Sequence, residues 1–150
     1  MVTNFVPLRC RSNFSFLHGV SRIDQLLDRA ARTGIGALGL AELGGMYGTI
    51  QFYQKALEYS IKPLIGMEIE TEAGKILFFS INFDGYGNLC RLSTIDKLYD
   101  RTPSLEELSS YSKNLVAVAF ETNRIEVLKD IFGDNLYFGL VNNGDISSRI

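Results

Sequence analysis

Short apolar segments alternate along the chain with segments whose apolar residues recur every three or four positions, and this alternation constrains the fold more than any other feature. The apolar segments, each typical of a strand, are residues 5–10, 37–41, 63–69, 76–81, 115–120 and 136–141. Helical spacing is found at residues 23–30, 52–57, 86–99, 104–112 and 123–132. Strands that alternate with helices indicate an α/β domain, in which helices cover the outer face of a largely parallel sheet or barrel.

Local signals set two boundaries within this pattern. Residues 21–24 have the spacing of a helix capping box, with Asp24 in the place of Glu or Gln, and Gly34 stands where a left-handed C-terminal cap of the same helix is expected. Residues 72–75 predict a tight turn between two apolar segments. The sequence therefore predicts one antiparallel hairpin.

The length and charge of the chain limit what it can be. With 150 residues and 46% hydrophobic content, one domain covering residues 1–150 is expected. Lys and Arg number 15 against 17 Asp and Glu, which gives a net charge of −2, so any contact with nucleic acid has to be local. The sequence contains neither a leader pattern nor an apolar run as long as a membrane span, and we expect a cytoplasmic protein without membrane contact.

One motif is misleading. Residues 34–39 match the dinucleotide-binding pattern GxGxxG letter for letter. That pattern requires a strand before the glycines and a helix after them, whereas the order predicted here is the reverse. We interpret these glycines as a helix cap followed by glycines in a tightly packed strand.

Seven stretches of the sequence resemble the PHP (polymerase and histidinol phosphatase) family, in the branch found in bacterial DNA polymerase III α subunits and their error-prone relatives. They are residues 5–12, 14–19, 21–27, 37–48, 52–53, 61–68 and 85–92, and residues 105–141 resemble the family more loosely. The resemblance implies an α/β fold that forms part of a PHP-type (β/α)7 TIM-like barrel, with mostly parallel strands, one hairpin and helices outside. Because such barrels are longer, it also implies a single domain that is truncated at its C-terminal side.

The resemblance identifies the positions of a metal site, where active members of the family hold metals with His and carboxylate side chains for phosphoester hydrolysis. The seven corresponding positions of this chain are Arg9, Arg11, His18, Glu42, Leu43, Glu68 and Lys75. The two arginines and the leucine stand where histidines are expected, the lysine falls near the histidine expected on the next strand, and the histidine stands where polymerase members carry an aspartate. Guanidinium and ammonium groups have no lone pair for a metal, so the resemblance implies a degenerate site without catalytic residues.

No cofactor is expected at such a site. If a metal binds, the remaining donors His18, Glu42 and Glu68 are the candidate ligands, and Zn or Mn at low occupancy is the alternative.

Arg9 and Arg11 suggest what has replaced the metal. They are two positions apart on a predicted strand, so their side chains point to the same face. Both could neutralise Glu68 and Glu42, because an arginine–carboxylate pair supplies positive charge together with bidentate hydrogen bonds. Our hypothesis is an ion-pair cluster in place of the metal, and the alternative is a pair of solvated arginines in an open pocket.

The function implied by the resemblance is that of a catalytically degenerate PHP domain of a DNA polymerase III α subunit, serving replication or repair as a structural or partner-docking module. Its implied partners are the polymerase core of the same parent chain and a proofreading exonuclease subunit, with DNA reached only through the parent protein. The open edges of a truncated barrel also predict self-association.

Two other functions are compatible with the sequence. One is a metal-dependent 3′–5′ exonuclease or phosphoesterase with a reduced metal site. The other is an anion-binding pocket, which would require four cationic residues to converge: Arg9, Arg11, Lys75 and Arg91.

Overall fold

The computed structural model describes residues 5–121 and 124–140, and strands alternate with helices through both ranges. The strands are β1 (Ala37–Leu43), β2 (Lys62–Thr71), β3 (Gly74–Ser80), β4 (Leu115–Ala119) and β5 (Leu136–Phe138). The helices are α1 (Ile23–Arg32), α2 (Thr49–Glu58), α3 (Phe83–Leu98), α4 (Leu105–Tyr111) and α5 (Ile125–Phe132). The predicted α/β alternation is therefore confirmed. None of these helices has the length and apolar character needed to cross a membrane.

The five strands form one mixed sheet in the order β1-β2-β3-β4-β5. Pairing is parallel between β1 and β2 and between β4 and β5, but it is antiparallel between β2 and β3 and between β3 and β4. The expectation of a largely parallel sheet is therefore wrong, because two of the four strand pairs are antiparallel. The cause is the position of β3, since a single reversed strand in the middle of a sheet makes two antiparallel pairs.

The predicted hairpin is confirmed between β2 and β3. Thr71 lies opposite Gly74, which leaves Glu72 and Ala73 at the turn. Gly74 has a φ of 91°, a left-handed conformation that suits glycine. This turn reverses the chain and so places β3 beside β2.

The helices cover one face of the sheet, and two apolar clusters lie beneath them. One cluster joins β1 to α1 and α2 through residues such as Leu40, Leu27 and Phe52. The larger one joins β2, β3 and β4 to the later helices, with Phe78 and Leu89 among its members. The opposite face carries a smaller cluster made entirely of strand residues and Phe120. As in half of a barrel, one face of the sheet is outer and covered by helices, and the other is inner.

The N-terminal segment differs from its prediction. Residues 5–10 were expected to form a strand, but the structure contains only an isolated bridge from Cys10 to Leu40 at the edge of β1. Gly39 N–H donates to the carbonyl of Pro7 at 2.8 Å, and Cys10 N–H donates to the carbonyl of Gly39 at 3.2 Å. Pro7 has no N–H of its own, which limits the ladder on this side. A Cβ at Gly39 would lie 2.4 Å from the carbonyl oxygen of Leu8, so glycine permits this close approach.

For α1, the predicted C-terminal cap is correct, and the predicted N-terminal cap is shifted by one residue. Arg22, one residue after the expected Ser21, occupies the capping position, and its N–H donates to the side chain of Gln25 at 2.9 Å. Asp24 instead pairs with Lys55 on α2. Gly34 has a φ of 73° directly after the helix, as its role as a cap requires. The predicted tail, residues 142–150, lies outside the described residues.

Candidate functional site

The candidate site lies on the inner face of the sheet, towards the ends of β1 and β2. Glu68 on β2 lies beside Leu43 on β1 and opposite Leu77 on β3. Its side chain is fully buried. A buried carboxylate requires a partner, and the N-terminal segment supplies it.

Two arginines converge on this one carboxylate. The guanidinium of Arg9 donates from Nε to Oε2 of Glu68 at 2.5 Å and from Nη2 to Oε1 at 2.8 Å, which is a bidentate pair. Arg11 Nη2 lies 2.9 Å from Oε1 of the same residue. Arg9 also lies over the ring of Phe120, 4.9 Å from its centroid. Because Phe120 follows β4, this contact shows that the sheet curls and brings β4 towards the N-terminal segment.

The pKa values of the pair follow from this geometry. Burial alone would raise the pKa of Glu68, but the hydrogen bonds and positive charges of Arg9 and Arg11 outweigh it and hold that pKa below its ordinary value. The hydrogen bond to Glu68 in turn raises the pKa of Arg9. The cluster is therefore ionised at neutral pH and consists of two cations around one anion.

Glu42 is held in a different way. Its carboxylate accepts hydrogen bonds from the hydroxyl groups of Ser12 and Ser15, and the backbone N–H of Ser12 lies 3.1 Å from Oε1. Ser15 Oγ also accepts the N–H of Leu43 at 3.1 Å. The expectation that the arginines would neutralise Glu42 is wrong. Successive side chains of a strand point to opposite faces, so Glu42 shares the helix-covered face of β1 with Leu40 and cannot reach the arginines.

Of the other three predicted site positions, Leu43 and Lys75 lie at a cleft and His18 lies on the surface. Leu43 and Lys75 line a cleft of about 190 Å³ with Glu68. Lys75 is exposed and faces Glu70 across the β2–β3 pair. His18 is exposed on the loop after the N-terminal segment. In the part of the chain that the structure describes, no three His, Cys, Asp or Glu side chains form a group that could hold a metal.

The four cations of the predicted anion pocket do not converge. Arg9 and Arg11 contact Glu68, and Lys75 lies at the cleft beside them. Arg91 lies on α3 and lines a separate groove. The physical reason is that α3 packs on the helix-covered face of the sheet, whereas Glu68 faces the opposite side.

Sequence reasoning missed three residues that build the site. Ser12 and Ser15 are buried and satisfy Glu42, and Phe120 contacts Arg9. Both serines lie in stretches that resemble the family, but no sequence pattern predicts that a serine will donate a hydrogen bond to a buried carboxylate. Phe120 was placed at the end of a strand, and its contact with Arg9 depends on the curl of the sheet.

Comparison with known proteins gives the family. The PHP domain model matches residues 7–140. An error-prone DNA polymerase from Bdellovibrio bacteriovorus is 31% identical over 91% of this chain and 15% of its own length. A DNA polymerase III subunit alpha from Borreliella burgdorferi is 26% identical over 95% of this chain and 16% of its own length. The chain thus spans less than a fifth of these relatives.

Solved structures agree on the fold. A protein from Bifidobacterium adolescentis that was assigned to the metal-dependent phosphoesterases has a TM-score of 0.59 and 13% identity, and the match covers 89% of this chain and 75% of that one. An amidohydrolase from Chromobacterium violaceum has a TM-score of 0.57 and 16% identity, with 87% and 74% covered. These similarities concern the fold, which is consistent with part of a TIM-like barrel. With most of its length matched by the family model, the chain belongs to the PHP domain family.

Proposed function

We propose that this chain is a catalytically inactive PHP module of a DNA polymerase of the III α or error-prone type, in which it has a structural and docking role. The observation that carries the proposal is the contact of Arg9 and Arg11 with Glu68. Two guanidinium groups supply at this carboxylate the positive charge that a metal supplies in a hydrolytic centre.

The residues at the site do not fit a metal. Both oxygens of Glu68 accept hydrogen bonds from Arg9, and both oxygens of Glu42 accept hydrogen bonds from serines. A cation approaching Glu68 would meet two guanidinium groups, which repel it and offer no lone pair. These contacts favour an inactive module over the alternative of a metal-dependent exonuclease with a reduced metal site.

An exposed apolar stripe on α2 supports the docking role. Ile50, Tyr53 and Leu57 recur at helical spacing on the outer side of the helix, and each is at least half exposed. Such a stripe is typical of a surface that another part of a larger protein covers. We propose the polymerase core of the parent chain as that partner.

The catalytic part of the proposal is tested by metal binding and hydrolysis. Elemental analysis of the purified chain, followed by titration with Zn²⁺ and Mn²⁺, is expected to find no stoichiometric metal. Assays of phosphomonoesters and of short DNA strands are expected to find no turnover above that of a blank. Stoichiometric metal together with turnover that Glu68→Gln abolishes would contradict the proposal and make the chain an enzyme.

The docking part is tested with the polymerase core supplied as a separate polypeptide. Replacing both Ile50 and Tyr53 by Ser is expected to weaken binding of the chain to that core while leaving its thermal midpoint nearly unchanged. Gln51→Ser on the same helix is the matched control. Equal binding by both variants would show that α2 is not the docking surface.

A further inference from the structure

A groove on the helix-covered side of the domain has no part in the site at Glu68. It lies between the first half of α3 and the turn that leads into β4, and its volume is about 390 Å³. Phe83, Gly87, Asn88, Arg91, Lys113 and Asn114 line it. This volume is within the range of pockets that hold small ligands.

The walls of the groove are fixed to each other. Asn88 is buried, and its side-chain amide donates to the carbonyl of Lys113 at 2.9 Å. The N–H of Ile81 donates to the carbonyl of Asn114 at 2.9 Å. A Cβ at Gly85 would lie 2.1 Å from that same carbonyl oxygen, so glycine lets the turn approach the helix. The turn that carries Lys113 is therefore held at a defined position beside α3.

Two cations are placed at this groove. Arg91 is oriented by the side-chain oxygen of Asn88, to which its Nη1 donates at 2.8 Å, and by the ring of Tyr111, whose centroid is 5.8 Å away. Neither Arg91 nor Lys113 takes part in the ion pairs found within residues 5–121 and 124–140. Asp84 also lines the groove, so its charged residues sum to +1. The remaining donors of Arg91 are available for an oxyanion.

The groove also has an aromatic side chain and an open floor. Phe83 is 86% exposed, and it lies one helical turn before Gly87. A Cβ at Gly87 would meet nothing within 4 Å, so packing does not explain why this position is a glycine. A glycine inside a helix lowers its stability by about 1 kcal/mol relative to alanine. The missing side chain leaves room for a ligand to lie against the helix between Phe83 and Arg91.

We infer that this groove binds a nucleotide unit of single-stranded DNA, with a phosphate at Arg91 and Lys113 and a base on the ring of Phe83. An aromatic surface beside paired cations is the chemistry that recognises single strands. The net charge of −2 means that any such contact has to be local, and this groove provides a local one. The inference goes beyond the proposed function and does not depend on it, because Glu68 lies on the opposite face of the sheet.

Fluorescence anisotropy with a labelled oligothymidylate of about 10 nucleotides tests the inference at low salt. Arg91→Gln and Lys113→Gln are each expected to weaken binding about five-fold and to lower the slope of log affinity against log salt by roughly 0.7. Phe83→Ala is expected to weaken binding about ten-fold. Asp84→Asn is expected to tighten it about two-fold, because it removes the negative charge that competes with the phosphate.

Arg29→Gln, which removes an exposed cation on α1, is the matched control and is expected to bind as the unchanged chain does. Lys113→Gln removes no hydrogen bond seen in the structure, so its effect does not rest on folding. Three outcomes would each overturn the inference: no binding of the strand, equal binding by Lys113→Gln and Arg29→Gln, or equal binding of an abasic sugar-phosphate strand.

Discussion

Arg9 and Glu68 are 59 positions apart in the sequence, yet the guanidinium of Arg9 meets both carboxylate oxygens of Glu68, at 2.5 and 2.8 Å. The pair connects the N-terminal segment to β2 across the intervening strand β1. The segment forms only a short ladder with β1, so this ion pair is its principal side-chain attachment. Directly after the segment, Arg11 also contacts Glu68, and Ser12 and Ser15 donate to Glu42.

Removing the carboxylate of Glu68 should destabilise the fold. Glu68→Gln leaves Arg9 and Arg11 without their counter-charge, and we expect a loss of about 2 kcal/mol in the free energy of unfolding. This is below the usual cost of breaking a buried pair, because the Arg9 side chain is 41% exposed and water screens it. Urea unfolding measures this loss in the free energy of unfolding. The control is Glu70→Gln, which changes an exposed residue of the same strand. Equal midpoints for the two variants would contradict the prediction.

The same pair predicts how stability depends on pH. The pKa of Glu68 is lower in the folded than in the unfolded chain, so its contribution is fully present above the unfolded value of about 4.3 and is lost as the pH falls through the folded value. The stability gap between the unchanged chain and Glu68→Gln should therefore be constant from neutral pH down to the unfolded pKa of about 4.3 and should narrow as the pH falls further. Urea unfolding at a series of pH values tests this, and a gap that stays constant below this pKa as well would show that Glu68 makes no linked contribution.

The hydroxyl of Ser15 should be important for stability. Ser15→Ala removes a donor to the buried Glu42 and the acceptor for the N–H of Leu43. Unsatisfied buried groups cost about 1–3 kcal/mol, so a loss in this range is expected in thermal or urea unfolding. Ser110→Ala, at an exposed position of α4, serves as the control and should change little. If both variants unfold alike, Glu42 does not depend on Ser15.

Gly39 should be required for the N-terminal segment to dock. In Gly39→Ala the new Cβ would lie 2.4 Å from the carbonyl oxygen of Leu8, a backbone atom that cannot move alone. We expect a loss of about 1–3 kcal/mol and faster proteolysis within residues 5–20. Gly36→Ala is the matched control, because a Cβ there meets nothing within 4 Å. Equal cleavage rates for the two variants would argue against tight docking of the segment.

Local patterns predicted the elements well where a single physical preference decides them. The period of the apolar residues gave the alternation of strands and helices, and the glycine at position 34 marked the end of α1. The sequence was less informative about residues 5–10, whose apolar character is typical of a strand. Pairing is decided by which neighbour is available and by Pro7, which cannot donate a hydrogen bond.

At the candidate site, too, the sequence predicted some features and the tertiary structure decided others. The two-residue spacing of Arg9 and Arg11 predicted that their side chains would share a face, and this is confirmed because both contact Glu68. That they stand in the place of metal ligands is implied by the resemblance and stays a prediction. Which carboxylate they would meet was not predictable from spacing, since Glu42 and Glu68 are both acidic and both lie near the C-terminal end of an apolar segment.

What the sequence by itself determined is local: the alternation of strands and helices, the hairpin, and the shared face of Arg9 and Arg11. Only the tertiary structure decided that Arg9 and Arg11 contact Glu68, that Glu42 pairs with serines on the other face, and that Arg91 joins Lys113 in a separate groove. The physical reason is that such contacts depend on which face of a strand or helix a side chain occupies and on how far the sheet curls. Both are set by the packing of distant segments rather than by neighbours in the sequence.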